Sequence, residues 1–100
     1  MVGEVGPDRI VLDLPEPWLT VEAAAQHLPG GGIFACYLPN VPQVERVRGA
    51  IDATGVFMEV MTSEVMMRDW VVGGRSVRPS HRMVGHTGFL TVARTVLADI

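Results

Sequence analysis

The sequence predicts an α/β fold in which parallel strands are followed by a terminal antiparallel hairpin. Apolar, strand-like runs alternate with helix-like segments through the first half of the chain, and the run at residues 33–37 is apolar at every position. This alternation is typical of a parallel sheet with right-handed crossovers. The last strand-like run follows the preceding one without a helix between them, so these two strands are expected to pair antiparallel.

Length and composition are those of one folded domain. One hundred residues with 48% apolar content suffice for a core, and the chain has neither an internal repeat nor a flexible linker. It lacks the run of about 18 apolar residues that spans a membrane, and its first residues do not resemble a secretion signal. The one cysteine, Cys36, lies in an apolar run, which predicts a buried free thiol in a reducing cytoplasm.

The first predicted strand covers residues 9–13 and is followed by a loop, because Pro15 and Pro17 cannot donate to a strand ladder. Pro17 also suits the first turn of a helix, which the glycines at residues 30–32 then end. The apolar residues predicted on one face of this helix are Trp18, Val21, Ala25 and Leu28.

The second predicted strand covers residues 33–37, and its continuous apolar character indicates a strand covered on both faces. A loop at residues 38–42 precedes a second amphipathic helix that ends at Gly55. A third strand is expected at residues 56–62, extending toward Val65, and an arginine-rich segment at 68–79 is expected to be part strand and part excursion. Residues 88–94 form the last predicted strand. The core positions predicted for the second helix are Val44, Val47 and Ile51.

Charge is distributed unevenly along the chain. The net charge is −3, yet residues 1–65 carry nine acids against three arginines, whereas residues 66–94 carry five arginines against one acid. A negative protein is a poor ligand for nucleic acid unless its positive charge is clustered. The pattern therefore predicts a basic face confined to the carboxyl-terminal third, formed by Arg68, Arg75, Arg78, Arg82 and Arg94.

Two side chains mark the predicted ligand site. Asp13 and Tyr37 end two strands joined by one crossover, so both are expected at the same edge of the sheet, where open α/β sheets bind ligands. A carboxylate beside an aromatic ring suits a flat, polar ring such as a nucleobase. Tyr37 would stack on the ring, and Asp13 would accept a hydrogen bond from its exocyclic amine. The ordinary alternatives are a turn aspartate and a core tyrosine.

Several segments together resemble one enzyme family. Residues 12–18, Leu-Asp-Leu-Pro-Glu-Pro-Trp, are similar to the Leu-Asp-x-Pro-x-Pro-Trp motif of the tRNA adenine(58)-N(1) methyltransferases. Residues 37–40, Tyr-Leu-Pro-Asn, look like the next loop of that family, and residues 68–70, 78–79 and 83–90 continue the match. The resemblance covers nearly the whole chain, in order and at similar spacing.

The resemblance implies the carboxyl-terminal half of a Rossmann-like, class I methyltransferase sheet, with residues 1–100 forming the carboxyl-terminal part of that domain. The implied reaction is methyl transfer from S-adenosylmethionine to N1 of the T-loop adenine of tRNA, by an enzyme that assembles as a homotetramer. Asp13 would be the catalytic carboxylate and would also contact the cofactor, while Tyr37 and Pro15 would contact the substrate. Arg75, Arg78 and Arg82 would contribute further substrate contacts.

In this family the cofactor is bound by a first strand, the glycine-rich turn after it and an acidic residue that contacts the ribose. The resemblance implies that all three lie upstream of residue 1. Gly30–Gly32 cannot replace them, because these glycines follow a helix and precede a strand, the reverse of a nucleotide-binding turn. We therefore expect the isolated chain to bind cofactor poorly, to be inactive and to have low solubility.

Two other functions fit the sequence. The chain could be a noncatalytic RNA-binding or assembly module that needs a separate amino-terminal half, or a class I methyltransferase with another amine or base as substrate. The histidines lack metal-site spacing, so no metal is expected, and His81 and His86 would hold a loop or contact RNA. The methionines that would fill a core or a subunit contact are Met58, Met61, Met66 and Met67.

Overall fold

The computed structural model describes residues 6–80 and 86–96, which form a mixed four-stranded sheet, two helices and a projecting hairpin. None of the helices within these two ranges has the length and apolar character needed to cross a membrane. In chain order the elements are β1 Arg9–Leu12, a 3-10 turn at Pro17–Leu19, α1 Val21–His27, β2 Ile33–Leu38, α2 Val41–Thr54, β3 Phe57–Met67, β4 Trp70–Gly73, β5 Ser76–Pro79 and β6 His86–Thr95.

The four-stranded sheet has the order β1-β2-β6-β3. β1 and β2 are parallel, and β6 is antiparallel to both β2 and β3. β3 therefore points in the same direction as β1 and β2 but is separated from them by the last strand. This arrangement confirms the predicted α/β fold of parallel strands followed by a terminal antiparallel pair.

The helical segment after β1 is shorter and less regular than predicted. A 3-10 turn at Pro17–Leu19 comes first, and α1 begins only at Val21. Val21 and Leu28 are buried as expected, but Ala24 is buried in place of the half-buried Ala25. The phase is shifted because a 3-10 turn advances three residues per turn, so a face counted from Trp18 at the α-helical period does not continue into α1.

The second helix agrees closely with its prediction. The side chain of Asn40 caps α2 by accepting a hydrogen bond from the Gln43 amide at 3.0 Å. At the other end Gly55 adopts a left-handed conformation, with φ of 70°, which a residue with a Cβ enters only at a cost in strain. The predicted core positions, Val44, Val47 and Ile51, are all buried.

The core lies between α1, α2 and one face of the sheet, with Phe34, Cys36 and Leu38 of β2 at its centre. Burial raises the pKa of the Cys36 thiol to about 11, because the thiolate loses its hydration there. Among the described residues no helix covers the other face, where Val11 is 75% exposed and Met61 66% exposed. The prediction that β2 is covered on both faces therefore holds only in part for the described residues, since Ala35 on this second face is buried whereas Tyr37 is exposed.

β3 and β6 are longer than predicted, with 11 and 10 residues. The last residue of β2, Leu38, is paired with Phe89, which is paired in turn with Glu64 of β3, so β3 continues three residues past the end of β2. β3 continues through the polar residues 62–64 because β6 supplies hydrogen-bond partners for its backbone there. The β4–β5 hairpin follows at the same end, which gives the molecule an elongated shape of 62 × 30 × 24 Å.

Candidate functional site

A cleft of about 310 Å³ opens at the edge of the sheet where β1 and β2 end. Leu12 is paired with Cys36 in the parallel ladder, and the next residue on each strand is Asp13 and Tyr37. The two predicted site residues therefore stand side by side, together with Pro15 of the intervening loop. The cleft is lined by Asp13, Leu14, Pro15, Tyr37, Pro39 and Gln43.

Asp13 lies at the start of a loop that cannot join the sheet. Pro15 and Pro17 lack backbone donors, so the ladder between β1 and β2 stops at Leu12. Asp13 is exposed, and no hydrogen bond or ion pair joins its carboxylate to another residue in the described ranges. The carboxylate is thus available to a ligand that enters the cleft.

Tyr37 is 42% exposed and leans across the sheet toward β6. Its ring occupies the space above Gly88, where a Cβ would lie 2.6 Å from Cε2 and still closer to Cζ and the hydroxyl oxygen. Because Gly88 has no side chain, the Tyr37 ring can lie against the sheet at this position. No role for Gly88 beyond its place in a motif could be predicted, because the contact depends on the register between β2 and β6.

Gln43 is a second residue that sequence reasoning did not single out. Its side-chain Nε2 donates a hydrogen bond of 3.0 Å to the carbonyl oxygen of Pro15, across 28 positions of sequence. It thereby ties the loop after β1 to the beginning of α2. The only sequence feature that could have drawn attention to Gln43 was its position in the first turn of α2, three residues after the capping Asn40.

The predicted basic residues divide into two groups. Arg75 is exposed in the turn between β4 and β5, and Arg78 is half-buried in β5 with Nη1 donating 3.3 Å to the Pro79 carbonyl oxygen. Arg94 does not belong with them. It is paired with Ile33 at the end of the sheet where β2 begins, and its Nε lies 3.9 Å from Oε2 of Glu59. The prediction of one basic face is therefore wrong for Arg94, whereas Arg82 lies outside the described residues.

A larger groove of about 590 Å³ lies between α1 and α2, where Arg46 stacks 4.3 Å from the centre of the Trp18 ring. It lies on the helical side, away from the strand ends at which ligands of such sheets bind. We therefore place the candidate site at the smaller cleft. Within residues 6–80 and 86–96, no group of three His, Cys, Asp or Glu side chains is arranged to hold a metal ion.

The mixed sheet of parallel and antiparallel strands is that of the class I methyltransferase fold. The chain superimposes on the tRNA (m1A58) methyltransferase TrmI of Aquifex aeolicus with a TM-score of 0.74 and 25% identity, covering 91% of this chain and 36% of that one. It also superimposes on a SAM-dependent O-methyltransferase of Thermotoga maritima with a TM-score of 0.76 and 27% identity, covering 100% and 39%.

The sequence narrows this class to one family. The chain belongs to the tRNA methyltransferase complex GCD14 subunit family, whose model matches residues 3–78. It is 42% identical over 94 residues to the tRNA (adenine(57)-N(1)/adenine(58)-N(1))-methyltransferase TrmI of Methanocaldococcus jannaschii, an alignment that covers 93% of this chain. The chain spans only 33% of that relative, in the carboxyl-terminal part of the methyltransferase fold.

Proposed function

We propose that this chain supplies the substrate-binding edge of a tRNA methyltransferase that acts on N1 of the T-loop adenine. The observation that carries the proposal is the shared cleft of Asp13 and Tyr37 at the carboxyl edge of the sheet. The Methanocaldococcus jannaschii relative is named for N1 methylation of adenines in tRNA. A flipped adenine is flat and carries one exocyclic amine, which matches an aromatic ring beside a hydrogen-bond acceptor.

In this proposal Asp13 and Tyr37 position the adenine. Tyr37 stacks against one face of the ring, while the Asp13 carboxylate accepts a hydrogen bond from the exocyclic amine. Orientation supplies much of the rate, because the N1 lone pair must align with the transferred methyl group. N1 gains a bond and the ring becomes cationic, so a nearby carboxylate stabilises the developing charge and can take up the amine proton.

S-adenosylmethionine supplies the methyl group from its sulfonium centre when it is bound. The residues of this chain fit that cofactor only in part. Asp13 is an exposed acceptor beside the cleft, but within residues 6–80 and 86–96 no glycine-rich turn follows a strand and opens a helix. We therefore propose that these 100 residues are the carboxyl-terminal part of the methyltransferase domain. The cofactor would be held mainly by residues outside this chain.

Contacts to the tRNA backbone are proposed for Arg75 and Arg78 on the β4–β5 hairpin, together with Arg82. The hairpin follows the part of β3 that continues past the end of β2. It therefore lies at the same end of the sheet as the cleft. Guanidinium groups bind phosphate oxygens through paired hydrogen bonds. A site formed in this way would hold the tRNA while its adenine enters the cleft.

The homotetramer implied by the resemblance is also a proposal, supported by apolar residues exposed at the end of β3 and on the hairpin. Such a concentration of exposed apolar side chains is typical of a contact surface. The reducing cytoplasm is the proposed location, in keeping with the buried free thiol of Cys36. The exposed residues are Val65, Met66, Met67, Trp70, Val72 and Val77.

The role of Asp13 can be tested in a chimera, defined here as the Methanocaldococcus jannaschii relative with its matched third replaced by this chain. Asp13→Ala should retain tRNA binding and lower the rate of methylation by about 100-fold or more, because the acceptor for the amine is lost. Asp8→Ala is the matched control, since Asp8 is exposed just before the start of β1. Undiminished methylation by Asp13→Ala would exclude the proposed role.

Two alternatives have their own support. Similarity to an O-methyltransferase favours a class I enzyme with another substrate, which would methylate a small molecule rather than tRNA in the same chimera. The exposed arginine and apolar side chains of the β4–β5 hairpin favour an assembly or RNA-binding module. That alternative predicts that activity returns when the missing part of the relative is supplied as a separate chain.

A further inference from the structure

Gln43 joins the two loops that form the cleft. Its backbone amide donates to the Asn40 side chain in the loop after β2, while its side-chain Nε2 donates to the Pro15 carbonyl oxygen in the loop after β1, both at 3.0 Å. In the described part of the chain, this side-chain bond is the one hydrogen bond between residues 13–16 and residues 39–43. The relative position of the two loops therefore depends strongly on Gln43.

The loop after β1 has few other attachments. Leu14, Pro15 and Glu16 are exposed, and the next buried residue is Pro17. Pro15 and Pro17 have no amide hydrogen, and in the described ranges no backbone hydrogen bond joins residues 13–16 to β2. Asp13 lies between the end of the ladder and the carbonyl group held by Gln43, so the bond restricts the backbone that carries its carboxylate.

The other end of the same amide makes no hydrogen bond to the described part of the chain. Gln43 Oε1 is buried there. An unpartnered buried acceptor is destabilising, and this penalty offsets the gain from the bond that Nε2 makes. The defined consequence of the bond made by Nε2 is the position of the loop that carries Pro15 and Asp13.

We propose that Gln43 is a positioning residue, which holds the Asp13 loop in register with Tyr37 so that the carboxylate and the ring address one adenine. The inference rests on the proposed function of the cleft. Gln43 acts through Pro15 and the backbone rather than on the substrate, so its loss should affect the geometry of the reacting complex more than the fold. Misplacement of a reacting group by about 1 Å can lower a rate by about 100-fold.

The test uses Gln43→Met in the chimera, because methionine has a similar length and removes both the donor and the unpartnered acceptor. We expect kcat to fall by about 10- to 100-fold, while the thermal midpoint and the KM for S-adenosylmethionine stay unchanged. Gln26→Met is the matched control, since Gln26 is an exposed glutamine on α1, and it should leave all three quantities unchanged. A wild-type kcat for Gln43→Met would overturn the proposal.

Two further measurements separate this inference from the proposed function. If Asp13→Ala abolishes methylation while Gln43→Met does not, the positioning role fails and the proposed function stands. Backbone order parameters of Asp13, Leu14 and Glu16, measured by NMR relaxation of their amides, do not depend on turnover. Lower order parameters in Gln43→Met than in Gln26→Met are expected, and equal values would contradict the proposal even if the chimera does not methylate tRNA.

Discussion

At the scale of single residues, the candidate site depends on contacts that cross the sheet. Tyr37 is supported by Gly88 of β6, and Pro15 is held by Gln43 of α2. Asp13 and Tyr37 could be predicted from the sequence because each lies in a motif at the end of an apolar, strand-like run. Gly88 and Gln43 could not, because nothing local in the sequence shows which residue a side chain meets after the chain has folded.

Gly88→Ala should displace the ring of Tyr37. A Cβ at this position would overlap the ring, which can move because it is the far end of a flexible side chain. We expect methylation by the chimera to fall and the ring resonances of the isolated chain, which has one tyrosine, to shift. Ring resonances identical to those of the unsubstituted chain would contradict the assigned contact.

Gly49→Ala is the matched control for this substitution. A Cβ at Gly49 of α2 would have no atom within 4 Å, so no contact is created. Alanine in place of glycine within a helix raises the free energy of unfolding by about 0.5–1 kcal/mol. Gly49→Ala should therefore stabilise the chain in denaturant titrations and leave the tyrosine resonances in place.

At the scale of elements, the β4–β5 hairpin is the main departure from a compact sheet. The sequence predicted strand character and an excursion for residues 68–79, and the structure resolves them into two paired strands. The hairpin packs little of its surface, with Val72 76% exposed and Trp70 57% exposed. Its basic and apolar side chains are therefore free for contacts with other molecules.

Arg75→Gln should weaken tRNA binding in a salt-dependent way. Loss of one phosphate contact lowers the slope of log affinity against log salt concentration by about one. The measurement is a series of tRNA-binding titrations of the chimera at several salt concentrations. Arg9→Gln is the control, because Arg9 is also exposed but lies at the start of β1, at the other end of the sheet. An equal change of slope for both variants would mean that only the net charge of the protein matters.

At the scale of the whole molecule, one face of the sheet has no helical cover among the described residues. Val11 and Met61 on that face are largely exposed, and β1 has one unpaired edge within the described sheet. A solvent-exposed apolar face and a free strand edge both favour association.

Titration of S-adenosylmethionine into the isolated chain should give no saturable heat at micromolar cofactor. The physical reason is that the donors and acids of a nucleotide-binding turn are not found in this chain. The chimera serves as the positive control under the same conditions. A clear binding isotherm from the isolated chain would show that these residues grip the cofactor by themselves.

Sequence patterns were sufficient to predict the α/β class, the second helix with its Gly55 end, and the placement of Asp13 and Tyr37 at one end of the sheet. Each of these follows from local periodicity, chain order or turn chemistry. Only the folded chain shows that β6 lies between β2 and β3, that one sheet face lacks helical cover among the described residues, and that Gly88 and Gln43 contact the residues of the cleft. These features arise from pairing between distant segments, whose free energy depends on the register and packing of the folded chain rather than on any local pattern.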